Sequence, residues 1–274
     1  MNIIDAVLSQ SFLQYAMIAG LLASIGCGIM GTYVVVKRIG FLAGGISHAV
    51  LGGMGIAYFL GGSPVLGAVI AAIIAALLIG WVNLRWRENE DTIIAALWSI
   101  GMALGIIFIS KTPGYNVDLM SYLFGNILMV PRDYLYFMAG LDFILLVIVV
   151  VFYKHFMAVC FDEEFARLRG INVEFFYLLL LCLVALTVVL LIQIVGLILV
   201  IALLVLPAAI AQQFAHSLKR IMITSILLGA TFSVAGILAS YEPDLPAGAT
   251  IILLAGTSYL LAFIGKGVLN KQYR

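Results

Sequence analysis

The sequence predicts an all-α fold: a polytopic bundle of eight to nine transmembrane helices forming one membrane domain over residues 1–274. Of its 274 residues, 65% are hydrophobic and only 10% are charged. That composition leaves too little polar surface to cover a water-soluble protein of this length. Several apolar runs also reach the roughly 20 residues that a helix needs to cross a bilayer. Lipid is therefore the predicted solvent for most of the chain.

Charged and turn-forming residues divide the apolar sequence into nine candidate spans. The spans cover residues 12–36, 39–60, 64–84, 91–110, 133–153, 173–193, 195–214, 218–240 and 246–265. A count of eight stays open, because 39–60 is rich in glycine and 173–214 is almost continuously apolar. Within that second stretch, Gln193 and Gly196 mark the place where a tight turn would separate two helices.

The distribution of positive charge predicts the orientation. With nine alternating passes, twelve of the 14 Lys and Arg residues fall on one side of the membrane, and only Lys111 and Arg132 fall on the other. Because Lys and Arg are retained in cytoplasmic loops, the N-terminus is predicted outside and the C-terminus in the cytoplasm.

Several classes of protein are disfavoured. A net charge of +1 gives no sign of a nucleic-acid partner. Cys27, Cys160 and Cys182 lack CxxC spacing and are interpreted as packing residues. The motif GxxxxGK[ST] does not occur, so any ATP-driven mechanism requires a separate nucleotide-binding subunit. HExxH is also absent and no GxSxG elbow accompanies a triad, so the chain is not predicted to be an enzyme.

The second span places a histidine on a glycine-rich helical face. The residues, one every four positions, are Gly40, Gly44, His48 and Gly52. Small residues let helices approach closely, so the three glycines are predicted to pack helices. An intramembrane histidine normally faces the bundle interior or a water-filled path. His48 therefore either hydrogen-bonds a neighbour or binds a transition metal, for which neutral imidazole is a good ligand.

Four carboxylates are candidates for an ion path. Asp142 lies deep in the fifth span, where a carboxylate must be paired, protonated or in contact with water. Asp118, Glu242 and Asp244 lie in segments predicted to face outward. They form either solvated turns, part of the cation's entry route, or a docking surface for a binding protein.

The segment FDEEFARLRGI (161–171) is predicted to be a short cytoplasmic helix that glycine ends, between two spans. Its spacing E-x-A-x-x-x-G, formed by Glu164, Ala166 and Gly170, resembles the coupling loop by which importer permeases dock into a cleft on their ATPase. Any cytoplasmic loop could contain such a helix, so this motif alone is weakly specific.

Six ordered blocks together resemble the zinc/manganese-type metal-ion permease family of ABC transporters, over nearly the whole chain. The blocks are GTYVVVKRIGFLAGGISHAVLGG (31–53), EDTIIAALWSIGMALG (90–105), VDLMSYLFGNIL (117–128), FDEEFARLRGI (161–171), ALTVVLLIQIVGLILVIALLVLPAAIA (185–211) and SYEPDLPAGATIIL (240–253). The resemblance implies a permease homodimer or a pair of related permeases, two ATPase subunits that bind ATP, and an extracytoplasmic protein that delivers the metal. It also implies a multi-pass protein of the bacterial or archaeal plasma membrane.

Position 44 departs from the family's pattern. Many members carry an Asp four residues before the histidine, so that both side chains bind the metal, whereas this chain has Gly44. The resemblance carries His48 over as a ligand and leaves the second ligand unassigned. Loss of a hard oxygen donor weakens the case for manganese more than the case for zinc.

The expected function is thus that of the membrane permease of an ATP-driven importer for a divalent transition metal, with zinc favoured over manganese or iron. The metal is expected to pass through as cargo, with no tightly bound cofactor. Two alternatives stay open. One is a permease for an iron chelate or a cobalamin, and the other is a secondary cation transporter that works without an ATPase through Asp142 and His48.

Overall fold

The computed structural model of the chain describes residues 7, 9–86, 90–112 and 125–272. Over these residues the secondary structure is entirely helical, as the composition predicted. The α-helices are α1 (Ser11–Val36), α2 (Gly40–Phe59), α3 (Pro64–Trp86), α4 (Glu90–Lys111), α5 (Arg132–Val151), α6 (Tyr153–Phe161), α7 (Glu163–Leu168), α8 (Val173–Val195), α9 (Leu197–Phe214), α10 (Leu218–Tyr241) and α11 (Ala247–Gln272). A short 3-10 helix, Ile127–Met129, precedes α5.

Nine of these described helices are long and apolar enough to cross a membrane, which confirms nine spans rather than eight. The two exceptions are α6 and α7, which are too short to span a bilayer. The break within the long apolar stretch comes at Gly196, whose φ of 85° lies in the left-handed region. Glycine adopts that conformation without the Cβ penalty of other residues, so α8 ends and α9 begins there.

The chain divides into two compact units. The first unit comprises residues 1–36, 120–148 and 191–274, and the second comprises residues 37–119 and 149–190. Within each unit, helices that are distant in sequence pack together.

In the first unit, α1 packs against α9 and α10 through small residues. Ser24 donates a hydrogen bond to the carbonyl oxygen of Gly20, and its Oγ lies 3.2 Å from Oγ of Ser233 on α10. At Gly31, a Cβ atom would collide with the carbonyl oxygen of Leu204 on α9. These contacts bring helix backbones to a separation that larger side chains would prevent.

In the second unit, α2 packs between α3 and α4. A Cβ atom added to Gly52 would lie 2.8 Å from the carbonyl oxygen of Gly101, and one added to Gly55 would lie 2.8 Å from that of Gly105. Gly53 approaches α3 still more closely, since its added Cβ atom would collide with the carbonyl oxygen of Gly67. The paired positions increase together along α2 and α4, so these two helices run in the same direction and contact each other through their backbones.

The close approach at Gly31 gives a stability prediction. Gly31→Ala is expected to lower the melting temperature of the detergent-solubilised protein, because overpacking of this kind costs about 1–3 kcal/mol. Gly140→Ala on α5 is the matched control, since nothing lies within 4 Å of its added Cβ. Thermal unfolding followed by size-exclusion chromatography measures both variants. If Gly31→Ala and Gly140→Ala had equal melting temperatures, that result would contradict the backbone contact between α1 and α9.

Candidate functional site

The candidate metal ligand His48 lies near the middle of α2 and is half-buried. Its imidazole stacks on the indole of Trp98 from α4, with ring centroids 4.0 Å apart and an interplanar angle of 9°. This face-to-face contact between the two rings restricts rotation of the imidazole about its side-chain bonds. The plane of the imidazole ring is therefore defined by this contact.

A thioether reaches the same imidazole. Met102 follows Trp98 by four residues on α4, which places both side chains on one helical face. Its Sδ atom lies 3.4 Å from Nδ1 of His48. The site thus consists of an imidazole from α2 together with an indole and a thioether from α4.

Sequence reasoning did not identify Trp98 or Met102. Their spacing along WSIGM predicts a shared helical face, but nothing local says that this face meets His48. That meeting depends on how α2 and α4 cross, which the pairing of Gly52 with Gly101 determines. The block EDTIIAALWSIGMALG was noted only for the resemblance that it carries.

The three glycines singled out on α2 occupy different surroundings. Gly52 contacts the backbone of Gly101, whereas Gly40 is the first residue of α2 and is half-buried. Gly44 lies beside the indole of Trp98, and a Cβ atom added there would have its nearest neighbour at 4.0 Å. Position 44 is buried, but it therefore has room for a Cβ atom.

Asp142 lies on the buried stripe of α5, together with Leu135, Met138, Leu145 and Val149. The carboxylate is only 7% exposed, and its Oδ2 atom has no hydrogen-bond partner within the part of the chain that the structure describes. Cys27 of α1 is its neighbour within electrostatic range. Asp142 belongs to the first unit and His48 to the second. A part for Asp142 in an ion path stays a prediction.

The other carboxylates lie near helix ends or outside the described residues. Glu242 and Asp244 are exposed in the turn after α10, where Asp244 has a φ of 51°. Asp244 also lines a cavity of about 630 Å³ in the first unit, together with Asn126 and Pro246. Asp118 falls outside the described residues. The predicted entry or docking role of these residues remains a prediction.

The segment 161–171 contains the helix α7, bounded by defined caps. At its start, Oδ1 of Asp162 accepts a hydrogen bond of 2.9 Å from the backbone N–H of Phe165. At its end, Gly170 has a φ of 75°, and the N–H of Ile171 donates to the carbonyl oxygen of Ala166 at 3.0 Å. This bond, with that from Gly170 to Arg167, forms a Schellman motif.

The residues of the E-x-A-x-x-x-G spacing thus have distinct structural roles. Ala166 is fully buried and Gly170 supplies the left-handed residue that ends the helix, while Glu164 is exposed. Phe165 and Leu168 are also exposed, at 48% and 87%. The helix therefore presents two large apolar side chains on its surface, and its coupling role stays a prediction.

A polar cluster attaches α7 to the rest of the second unit. Lys37, which follows α1, forms an ion pair with Glu163, and its ammonium lies 5.6 Å from the ring centroid of Tyr177. Nδ2 of Asn83 donates a 2.7 Å hydrogen bond to the hydroxyl of Tyr177. Nearby, burial raises the pKa of the Cys160 thiol to about 12, so this cysteine stays protonated at neutral pH. Neither the ion pair between Lys37 and Glu163 nor the hydrogen bond between Asn83 and Tyr177 was predicted from the sequence.

Comparisons with known proteins agree with the helical architecture. The sequence profile of the ABC 3 transport family matches residues 9–266. A probable metal transport system membrane protein of Chlamydia pneumoniae is 46% identical over 248 residues, which cover 88% of this chain and 85% of that protein. The manganese transport system membrane protein MntC of Halalkalibacterium halodurans is 38% identical over 273 residues, or 98% of this chain and 94% of that protein.

A solved structure agrees as well. PsaBC from Streptococcus pneumoniae, solved in complex with a Fab, superposes with a TM-score of 0.85 and 34% identity, covering 95% of this chain and 94% of that one. The family profile and this match each extend over almost the full length, and the nine described spans fit a multi-pass membrane protein. The chain belongs to the ABC 3 transport family and is a membrane-spanning permease of that family.

Proposed function

We propose that this permease serves an ATP-driven importer for a divalent transition metal, and that it favours zinc over manganese and iron. The observation that carries the proposal is the imidazole of His48, held within a membrane span against Trp98 and Met102. A histidine placed there is costly unless it has a partner or a function. An imidazole that is half-buried remains accessible to an ion passing through the second unit.

The names of the relatives support a metal as cargo. The protein of Chlamydia pneumoniae is named for metal transport in general, and that of Halalkalibacterium halodurans for manganese. Both align with nearly all of this chain, so a metal is the cargo class that best fits it. The choice among metals has to come from the donor atoms of this chain.

Those donor atoms favour zinc. Manganese binds best to carboxylate and carbonyl oxygen, whereas imidazole suits zinc, copper, iron and nickel. Position 44, where the resemblance implies a carboxylate, is occupied by Gly44, and the side chains in contact with His48 are an indole and a thioether. These side chains provide no oxygen donor, and oxygen is the donor that manganese prefers.

The site is suited to transit rather than storage. A structural zinc site surrounds its ion with four protein ligands, whereas no group of three or more His, Cys, Asp or Glu side chains converges within the described ranges. His48 would therefore hold the ion briefly, with water or backbone oxygen completing its coordination. Asp142, Asp118, Glu242 and Asp244 are the further candidates along the path.

The energy would come from partner subunits. The proposed complex contains two ATPase subunits, a second copy of this chain or a related permease, and an extracytoplasmic protein that delivers the metal. The exposed side chains of Phe165 and Leu168 on α7 offer an apolar surface for the ATPase. The caps at Asp162 and Gly170 and the ion pair between Lys37 and Glu163 would transmit its movement to the spans.

Transport by the reconstituted complex tests this function. Proteoliposomes with the ATPase and the binding protein are expected to accumulate zinc when ATP is supplied, and to accumulate manganese and iron more slowly. His48→Ala is expected to reduce zinc uptake by at least about 10-fold, the lower range for losing a group that supports metal binding. His216→Ala is the matched control, because His216 is exposed in the loop after α9.

Two results would count against the proposal. Zinc uptake that is unchanged in His48→Ala would remove this histidine from the mechanism. Uptake that proceeds without ATP or the ATPase would instead favour a secondary cation transporter.

A further inference from the structure

The contact between His48 and Met102 brings two metal-binding atoms together from different helices. Nδ1 of His48 and Sδ of Met102 are 3.4 Å apart. When Nδ1 carries the proton, it can donate a weak hydrogen bond to the sulfur. When the proton is on Nε2, Nδ1 and the sulfur each keep a lone pair, and both atoms can act as donors to a cation.

The separation of these atoms matches a shared ion. With metal–nitrogen bonds of about 2.0 Å, a tetrahedral angle and a metal–sulfur bond no shorter than the roughly 2.3 Å of a zinc thiolate, the two donors lie at least ~3.5 Å apart. The observed 3.4 Å differs from that distance by less than the adjustment that a methionine side chain makes freely. The separation of the two atoms is therefore compatible with their binding one ion from adjacent helices.

The surroundings hold this arrangement in place. Trp98 fixes the plane of the imidazole by stacking, and Gly52 against Gly101 fixes the crossing of α2 and α4 next to Met102. Met102 is half-buried, as His48 is, so neither side chain is fully enclosed by the protein. The site is therefore formed before the ion binds.

We propose that Met102 is the second protein ligand of the transported ion and that its thioether takes the place of the carboxylate missing at position 44. The proposal rests on the proposed metal-import function. Thioether and imidazole donors favour soft and borderline cations such as Cu(I) and Zn²⁺, and thioether contributes little to Mn²⁺. Met102 is thus a specificity-determining residue, and Trp98 positions the imidazole.

The test compares Met102→Leu with Met138→Leu. Leucine preserves volume and apolar character, so the substitution costs little stability, and Met138 is buried on α5, far in sequence from the site. In proteoliposomes of the full complex, Met102→Leu is expected to lower the ratio of zinc uptake to manganese uptake by about 10-fold. Met138→Leu is expected to leave that ratio unchanged.

X-ray absorption at the zinc edge supplies a direct readout on the assembled complex without ATP. The wild-type complex with Zn²⁺ is expected to show a sulfur neighbour, at a distance no shorter than the roughly 2.3 Å of a zinc thiolate, beside nitrogen and oxygen. That sulfur signal disappears in Met102→Leu and persists in Met138→Leu if the proposal is correct. The three cysteines are present in both variants, so they cannot produce this difference.

The outcomes separate this inference from the function on which it rests. If wild type imports zinc and His48→Ala does not, while Met102→Leu matches wild type in uptake ratio and spectrum, the thioether is not a ligand and the import function stands. If wild type transports none of the tested metals, the proposed function fails, and the role of Met102 fails with it.

Discussion

Gly44→Asp is expected to shift the metal preference of the permease toward manganese by about 10-fold, a change of about 1.4 kcal/mol. Residues four apart on a helix face each other, so the new carboxylate would lie beside His48. A Cβ atom at position 44 has no neighbour nearer than 4.0 Å, so the first atom of the new side chain is accommodated without displacing α4. Oxygen is the donor that manganese prefers.

The measurement is competitive uptake of manganese and zinc by reconstituted complex. Gly44→Asn is the matched control, because it introduces almost the same volume without a negative charge. Asparagine is expected to change the ratio of the two uptake rates much less than aspartate does. An identical ratio in wild type and both variants would show that position 44 takes no part in choosing the ion.

Leu168→Glu is expected to reduce ATP-dependent uptake to the level without ATP. Leu168 is 87% exposed, so the substitution leaves the packing of the second unit intact, as surface changes usually do within about 0.5 kcal/mol. If α7 docks on the ATPase, however, glutamate places an unpaired charge in an apolar contact, and such burial is costly. The defect should therefore lie in assembly and coupling and not in folding.

Copurification of the ATPase and its rate of ATP hydrolysis measure that defect directly. Leu168→Met preserves an apolar side chain of similar size and is expected to retain both assembly and uptake. Normal copurification and uptake by Leu168→Glu would mean that α7 is not the docking element. Glu164→Gln on the same helix separates a general charge effect from the loss of the apolar contact.

Features encoded along short stretches of sequence were predictable. The apolar runs yield all nine described spans, and their ends agree to within about three residues except at α11, which continues to Gln272. The turn at Gly196 follows from glycine's access to positive φ, and the end of α7 at Gly170 follows in the same way. These signals depend on neighbouring residues alone.

Contacts between distant segments were not predictable. Nothing near His48 in the sequence points to Trp98 or Met102, which lie 50 and 54 positions later. The ion pair between Lys37 and Glu163 joins parts of the chain that are farther apart still. Charge counting placed Lys37 among the residues that set orientation, but charge alone does not select one partner among several carboxylates. Such contacts depend on which helices pack together. The spacing of glycines limits the possible helix pairs but does not select one of them.

The glycine contacts between α2 and α4 have a consequence for ion release. At Gly52 with Gly101 and at Gly55 with Gly105, backbone meets backbone, and no side chain is present there whose rotamer could change the spacing. We therefore expect the two helices to move together as one rigid body, with the histidine and its two neighbours kept in the same arrangement. If His48 binds the transported ion as proposed, its intrinsic affinity for the ion is then expected to be the same at every stage of the cycle. Directionality would then arise from which aqueous compartment reaches the ion, and competition from water, not separation of the donors, would release it.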